Sequence, residues 1–228
     1  MMKLIIVAEL ALLVVAAVLV AWTDPLSEVG ARTNDTMDLL APVARADVTP
    51  PASSAEETKD SAVHETIVLL ARQHRSALDP ERLFVLAETI DREAATAGVD
   101  PLLVAAIVAT ESSFRTRVVS HAGAVGLMQL RPWVARDVAR RSDLEWNGFD
   151  TLTHPENNVR LGIRYYGELV ERFDGDERLA LIAYNRGPTR VTRQMSRNGY
   201  LPSRYADRVL GLYEDLSART RDDAGSAG

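Results

Sequence analysis

Apolar residues recur at helical spacing through most of the chain, and two blocks depart from that pattern by being apolar almost throughout. The first block runs from Leu4 to Trp22. The second, Leu102 to Ala109, is followed two positions later by a lone carboxylate, Glu111. Between and after them the pattern predicts a mainly α-helical domain. Ile67, Val68, Leu70 and Ala71 mark a helix over His64 to His74. Asp79-Pro80 gives an N-cap and a first-turn proline to a helix that stops at Gly98. Asp100-Pro101 repeats this start signal and opens the apolar run that reaches Glu111.

Further helices are expected from Pro132 (carrying Trp133, Val134 and Val138), over Pro155 to Phe173, over Asp176 to Asn185, and over Ser203 to Ser217. Gly187-Pro188 is a stop signal after the third of these. Asp143 to Thr153 reads as loop, and a short hairpin flap is expected around Ala124 to Leu130.

The apolar block at 1–22 is, at roughly 19 residues, just long enough to cross a bilayer. Cleaved signals usually have a shorter apolar region of about 7–15 residues and a small-residue cleavage site, and no such site closes this run. The expectation is an uncleaved signal anchor that tethers an outward-facing domain, with a secretory signal peptide as the alternative. Residues 23–60, with Pro25, Pro42, Pro50 and Pro51, read as a flexible linker. The catalytic domain is expected at 61–218, and 219–228 as a disordered tail.

Composition narrows the chemistry. The net charge of -6 gives no reason to expect nucleic acid as a partner. The absence of cysteine excludes disulfides, thiolate metal sites and a catalytic thiol. His64, His74, His121 and His154 are scattered without ligand spacing, so no metal and no cofactor is expected.

Glu111 is the candidate that remains. Val104, Ile107 and Val108 precede it by one or two turns on the same helical face. If that face is buried, the charged form of Glu111 is disfavoured and its pKa rises, which suits a general acid. The alternative is a helix-end glutamate pointing into water. After it come Ser112, Ser113 and Phe114, then Ser120-His121-Ala122-Gly123-Ala124-Val125-Gly126-Leu127-Met128-Gln129-Leu130-Arg131-Pro132. Two closely spaced glycines suit tight turns or close approach to a ligand. Met128 could fill the core or line an irregular apolar wall, and Gln129 offers donors and acceptors to a polar substrate or to water.

The pattern E-S-x-F followed by S-x-x-G-A-x-G-L-M-Q-L-x-P resembles the catalytic signature of the soluble lytic transglycosylases, which share the lysozyme-like fold. The segment Ala183-Tyr184-Asn185-Arg186-Gly187 resembles that family's second signature, and the likeness extends over roughly Ala87 to Leu216. The resemblance implies a helical domain around a substrate cleft, acting on peptidoglycan glycan strands with a single glutamate as acid and then base. It casts Glu111 as catalytic. It gives substrate-binding roles to Ser112, Ser120, Gly126, Met128, Gln129, Tyr184, Asn185 and Tyr205. Within that set, Ser120 lies beside the N-acetyl group, Met128 and Gln129 shape the sugar subsites, Tyr184 bonds to Glu111, and Tyr205 is either a cleft tyrosine or a packing residue. Arg186 departs from the family, which usually has a small residue there, and either brings a positive charge near the glycan or lies on the surface.

Glycoside chemistry commonly uses two carboxylates. No Asp or Glu lies between Glu111 and Asp137, and Glu145, Asp150 and Glu156 qualify only if the fold brings them round. A goose-type lysozyme-like hydrolase would need such a second group. A non-catalytic peptidoglycan-binding module is the reading from another class. The family and the anchor together imply a bacterial envelope location, a periplasmic domain tethered to the inner membrane, and service to an envelope-spanning assembly.

Overall fold

The Asp-Pro start signals set the helix boundaries. In this computed structural model, which describes residues 52–197 and 199–226, α1 spans Ala52–Gln73, α2 Pro80–Ala97, α3 Pro101–Ser112 and α4 Pro132–Arg141. After these come α5 (Phe149–Thr153), α6 (Pro155–Arg172), α7 (Glu177–Arg186), α8 (Pro188–Met195) and α9 (Arg204–Ser226). The expected anchor at 1–22 and residues 23–51 of the expected linker lie outside the described residues. No described helix is by itself long and apolar enough to cross a membrane.

Asp79, Asp100 and Asp176 each accept a first-turn backbone N–H, from Arg82, Leu102 and Leu179 respectively. Such caps stabilise a helix by about 1 kcal/mol each. Gly98 closes α2 in the left-handed region, at φ 66. That leaves only Val99 and Asp100 before α3, so the chain reverses sharply into the apolar run.

A helix that is apolar on every side has to be enclosed on every side. Leu103 to Val108 of α3 are wholly buried, and α1, α2 and α9 pack around them. The α6 helix lies against α2, and α7 fits between α6 and α9. A second, smaller apolar cluster gathers Val125, Leu130, Val138, Leu152 and Leu161, drawn from the loop after α3 and from α4–α6. Tyr165 and Tyr184 touch both clusters, so the seam between them runs past these two rings.

The structure departs from the expected elements at five places. Phe149–Thr153, within the stretch expected as loop, forms the short helix α5. The first helix begins at Ala52 rather than His64, inside the stretch expected as linker. The last continues to Ser226, through most of the expected tail, because Thr220 is buried and its hydroxyl meets that of Thr66 on α1 at 2.8 Å. Pro188 ends one helix and starts another: with Gly187 at φ 88, the chain turns and re-enters α8, which buries Val191. The hairpin flap is reduced to two isolated antiparallel bridges, Val119 with Val125 and Val125 with Leu130. Loop bonds hold the rest of it.

Candidate active site

Glu111 sits in the last turn of the central helix, where α3 emerges from the core. Burial pushes its carboxyl from the ordinary 4.5 to about 7. Opposing this, the Tyr205 hydroxyl donates a 2.7 Å hydrogen bond to Oε1 and favours the ionised form. Tyr205 is itself held well above the ordinary tyrosine range by burial and by the neighbouring Glu111, so it remains a donor. A carboxyl that titrates near 7 exists in both forms at neutral pH, as a group that must give and then retrieve a proton requires.

The chain leaves α3 through two consecutive residues in the left-handed region, Ser113 (φ 52) and Phe114 (φ 57). Phe114 is wholly buried, so its packing holds this unfavourable backbone. The loop that follows is fastened to α6 by one side chain. Asn158 of α6, fully buried, accepts from Met128 N–H at 2.8 Å and donates to the carbonyls of Val125 and Leu152 at 3.0 and 2.9 Å. Gly126 (φ 81) passes so close that a Cβ there would lie 2.2 Å from Asn158 Nδ2. Gln129, also left-handed at φ 48, donates its amide to the carbonyls of Val118 and Gly126. Ser120 Oγ accepts from Ala124 N–H and closes the turn.

A cavity of about 380 Å³ opens over Glu111, and Ser120, Gln129, Tyr184 and Asn185 also line it. Four of the residues expected to bind substrate are thus brought together beside the acid. Three others are placed differently. The Ser112 hydroxyl is buried and donates to Val108 O within its own helix. Met128 points into the core rather than the cleft, because Gly162 of α6 leaves a notch that its side chain fills. Gly126 is buried and shapes the loop from beneath.

The tyrosine roles also need correction. Tyr184, expected to hold Glu111, instead donates to Met128 O at 2.7 Å, and the residue that holds Glu111 is Tyr205. Tyr184 comes from the helix beside the loop, whereas α9 crosses directly behind α3.

None of the three candidate second carboxylates reaches the cavity. Glu145 accepts from Asn147, and with it lines a separate small hollow. Glu156 faces Arg82 at 3.8 Å, and Asp150 lies exposed in α5. Among the described residues, Glu111 is the sole carboxylate lining this cavity. Sequence reasoning passed over Trp133 and Tyr165 as cleft residues; Arg186, left open between cleft and surface, lines the cavity. Trp133 was legible as a helix residue, but its 59% exposure at the cleft wall depends on how α4 packs.

Because the Tyr205 bond favours the ionised carboxylate, Tyr205→Phe is expected to move the titration of Glu111 to higher pH. A carbon-detected NMR titration of the glutamate side chains reads this directly. A midpoint that fell or stayed in place would show that the hydroxyl does not control the charge.

The Transglycosylase SLT domain model matches residues 88–205, and the chain belongs to that family. Over 79 residues it is 46% identical to an endo-type membrane-bound lytic murein transglycosylase A of Klebsiella pneumoniae, covering 33% of this chain and 38% of that one. Over 100 residues it is 39% identical to the transglycosylase of Enterobacteria phage PRD1, covering 44% and 34%. Among solved structures, an inactive mutant of the lytic transglycosylase Slt of Pseudomonas aeruginosa superposes with a TM-score of 0.54 at 28% identity. That superposition covers 59% of this chain and 24% of the other. The chain therefore spans well under two thirds of each of these relatives.

Proposed function

We propose that this protein is a peptidoglycan lytic transglycosylase in the bacterial cell envelope, with Glu111 as its acid and base. The observation that carries this reading is a single, partly buried carboxyl titrating near 7 in a polar cleft, with no second carboxylate lining it among the described residues. Protonated Glu111 gives its proton to the oxygen linking N-acetylmuramic acid to N-acetylglucosamine as the bond from C1 breaks. The substrate's N-acetyl oxygen, or an oxocarbenium-like species, carries the charge that develops at C1. Ionised Glu111 then takes the proton of the muramyl C6 hydroxyl, whose oxygen attacks C1 and closes a 1,6-anhydro ring. One proton leaves the enzyme and one returns, and no water is consumed.

Ser120 and Gln129, fixed by the loop bonds, are assigned to hold the sugar's polar groups, and Asn185 to line the opposite wall. A second carboxylate to hold a water is what a hydrolase would need, and none of the described residues brings one to the cavity. The expected tether to the inner membrane, and service to an envelope assembly, remain part of the proposal through the apolar segment at 1–22.

Mass spectrometry of soluble products from purified peptidoglycan tests the reaction. Fragments ending in 1,6-anhydromuramic acid are expected. Reducing ends would replace the lyase reading with a hydrolase, and binding without any products would point to a recognition module.

A further inference from the structure

Tyr205 stands at the second position of α9, in a first turn, where a helix has fewest bonds of its own. Its hydroxyl nonetheless has to meet Glu111 Oε1 within the narrow range of a hydrogen bond. The polar contacts near that turn lie at the surface: Ser203 with Asp207, and Asp207 with Arg178 of α7. Exposed pairs of this kind hold an element only weakly. The firmer constraint comes further along α9. Tyr205, Val209, Tyr213, Leu216 and Thr220 follow one another at spacings of four, four, three and four, which puts them on one face. Val209 and Leu216 are buried in the core, and Thr220 bonds to Thr66 of α1.

Tyr213 reaches the other end of α3. Its hydroxyl donates to Asp100 Oδ2 at 2.9 Å, while Asp100 Oδ1 accepts from Leu102 N–H at 2.8 Å. One carboxylate thus ties the first turn of α3 to α9. Tyr205 ties the last turn of α3 to the same helix, through Glu111 at 2.7 Å. The two tyrosines therefore grip α3 at both ends, roughly 16 Å apart along its axis. The apolar residues between them resist sliding only through their shapes. A slip of one residue moves a helix by about 1.5 Å. That is enough to stretch the Tyr205 bond past hydrogen-bonding range.

We propose that Tyr213 and Asp100 are a positioning pair for the reaction, fixing the register of α9 on α3 so that Tyr205 meets Glu111. Both line a hollow beside α1, α3 and α9 that shares no residue with the cavity over Glu111. The pair acts through the Tyr205 hydroxyl, which holds down the pH at which Glu111 titrates. Tyr184 and Arg186 of α7, Tyr165 of α6 and Arg131 before α4 share the Glu111 cavity, and a change at Tyr213 leaves each of them unaltered. Around the pair itself stand Asp60, Asp91 and Arg221, with Glu177 of α7 near enough to feel the charge of Asp100. The kinetic consequence rests on Glu111 as acid and base in the transglycosylase reading; the register of α9 does not.

The test is a double-mutant cycle in the full chain, read by the side-chain NMR titration of Glu111. Tyr213→Phe removes one hydroxyl and keeps the ring. It is expected to raise the midpoint of Glu111, in the direction of Tyr205→Phe and by no more. Added to Tyr205→Phe, it should raise the midpoint no further, because the bond it positions is already gone. Asp100→Ser keeps a cap on α3 but is too short to reach Tyr213 as well, and should reproduce the Tyr213→Phe shift. Asp100→Asn can still cap α3 and pair with the hydroxyl, so its midpoint should stay close to that of the wild type. On peptidoglycan, Tyr213→Phe is expected to lower kcat roughly 2- to 30-fold with KM unchanged, and to move the pH profile of kcat upward. A midpoint unmoved in Tyr213→Phe and Asp100→Ser would overturn the proposal, even if both variants melted earlier. So would a shift from Tyr213→Phe that is equally large in the Tyr205→Phe background. A wild type that forms no 1,6-anhydro products would overturn the transglycosylase reading instead, and the titration cycle would still decide the register.

Discussion

Glu111→Gln is expected to abolish glycan cleavage while making the protein more stable above pH 7. General acid–base groups contribute about 10²–10⁴-fold each, and here one side chain fills both roles, so a loss of at least roughly 10³-fold is expected. The stability gain follows from where the carboxyl sits. In the unfolded chain it titrates near 4.5, and in the folded protein at about 7. Between those values the folded state holds a proton that the unfolded chain has released, so raising the pH favours unfolding. The full penalty is present above pH 7 and is about 3 kcal/mol. An amide carries no such penalty and still accepts the Tyr205 hydrogen bond. Thermal melts of the two proteins should therefore coincide below about pH 4.5, separate up to pH 7, and run parallel beyond it. Curves parallel at every pH would show that Glu111 is not held protonated by the fold. Retained cleavage by the variant would remove it from the mechanism.

The same residue shows what a sequence makes legible. A carboxylate at the end of a run as apolar as Leu102 to Ala109 has to emerge from the core, whichever helices supply the walls. The Asp-Pro and Gly signals fixed where α2 and α3 begin and where α2 ends, because caps are local chemistry. What escaped the sequence reading depends on how distant elements meet. Whether Tyr184 or Tyr205 reaches Glu111 is decided by the course of α9, 94 positions along the chain. Met128 turns inward because Gly162, on another helix, leaves it room. Pro188 reads locally as a stop, and only the burial of Val191 explains why the chain resumes a helix there.

Asn158 had no signal at all in the sequence, yet replacing it is expected to have the second largest effect. Its side chain makes three hydrogen bonds, all to backbone groups at or next to the loop that forms one cleft wall. Asn158→Leu keeps the branching of the side chain but leaves the Met128 N–H buried without an acceptor and takes a donor from two carbonyls. An orphaned buried group costs about 1–3 kcal/mol, so a loss of roughly 3 kcal/mol is expected. For a domain of this size that lowers Tm by about 10 °C. Activity should fall further than stability explains, because Gln129 and Ser120 take their positions from the loop that Asn158 fastens. Asn158→Asp separates the two kinds of bond. Its carboxylate can still accept from Met128 N–H but repels the two carbonyls, and protonation at low pH restores one donor. The Asp variant should therefore lose stability more steeply with rising pH than the wild type, while the Leu variant keeps the wild-type slope. If both variants melt like the wild type, the loop is held by its own turns and not by the Asn158 side chain.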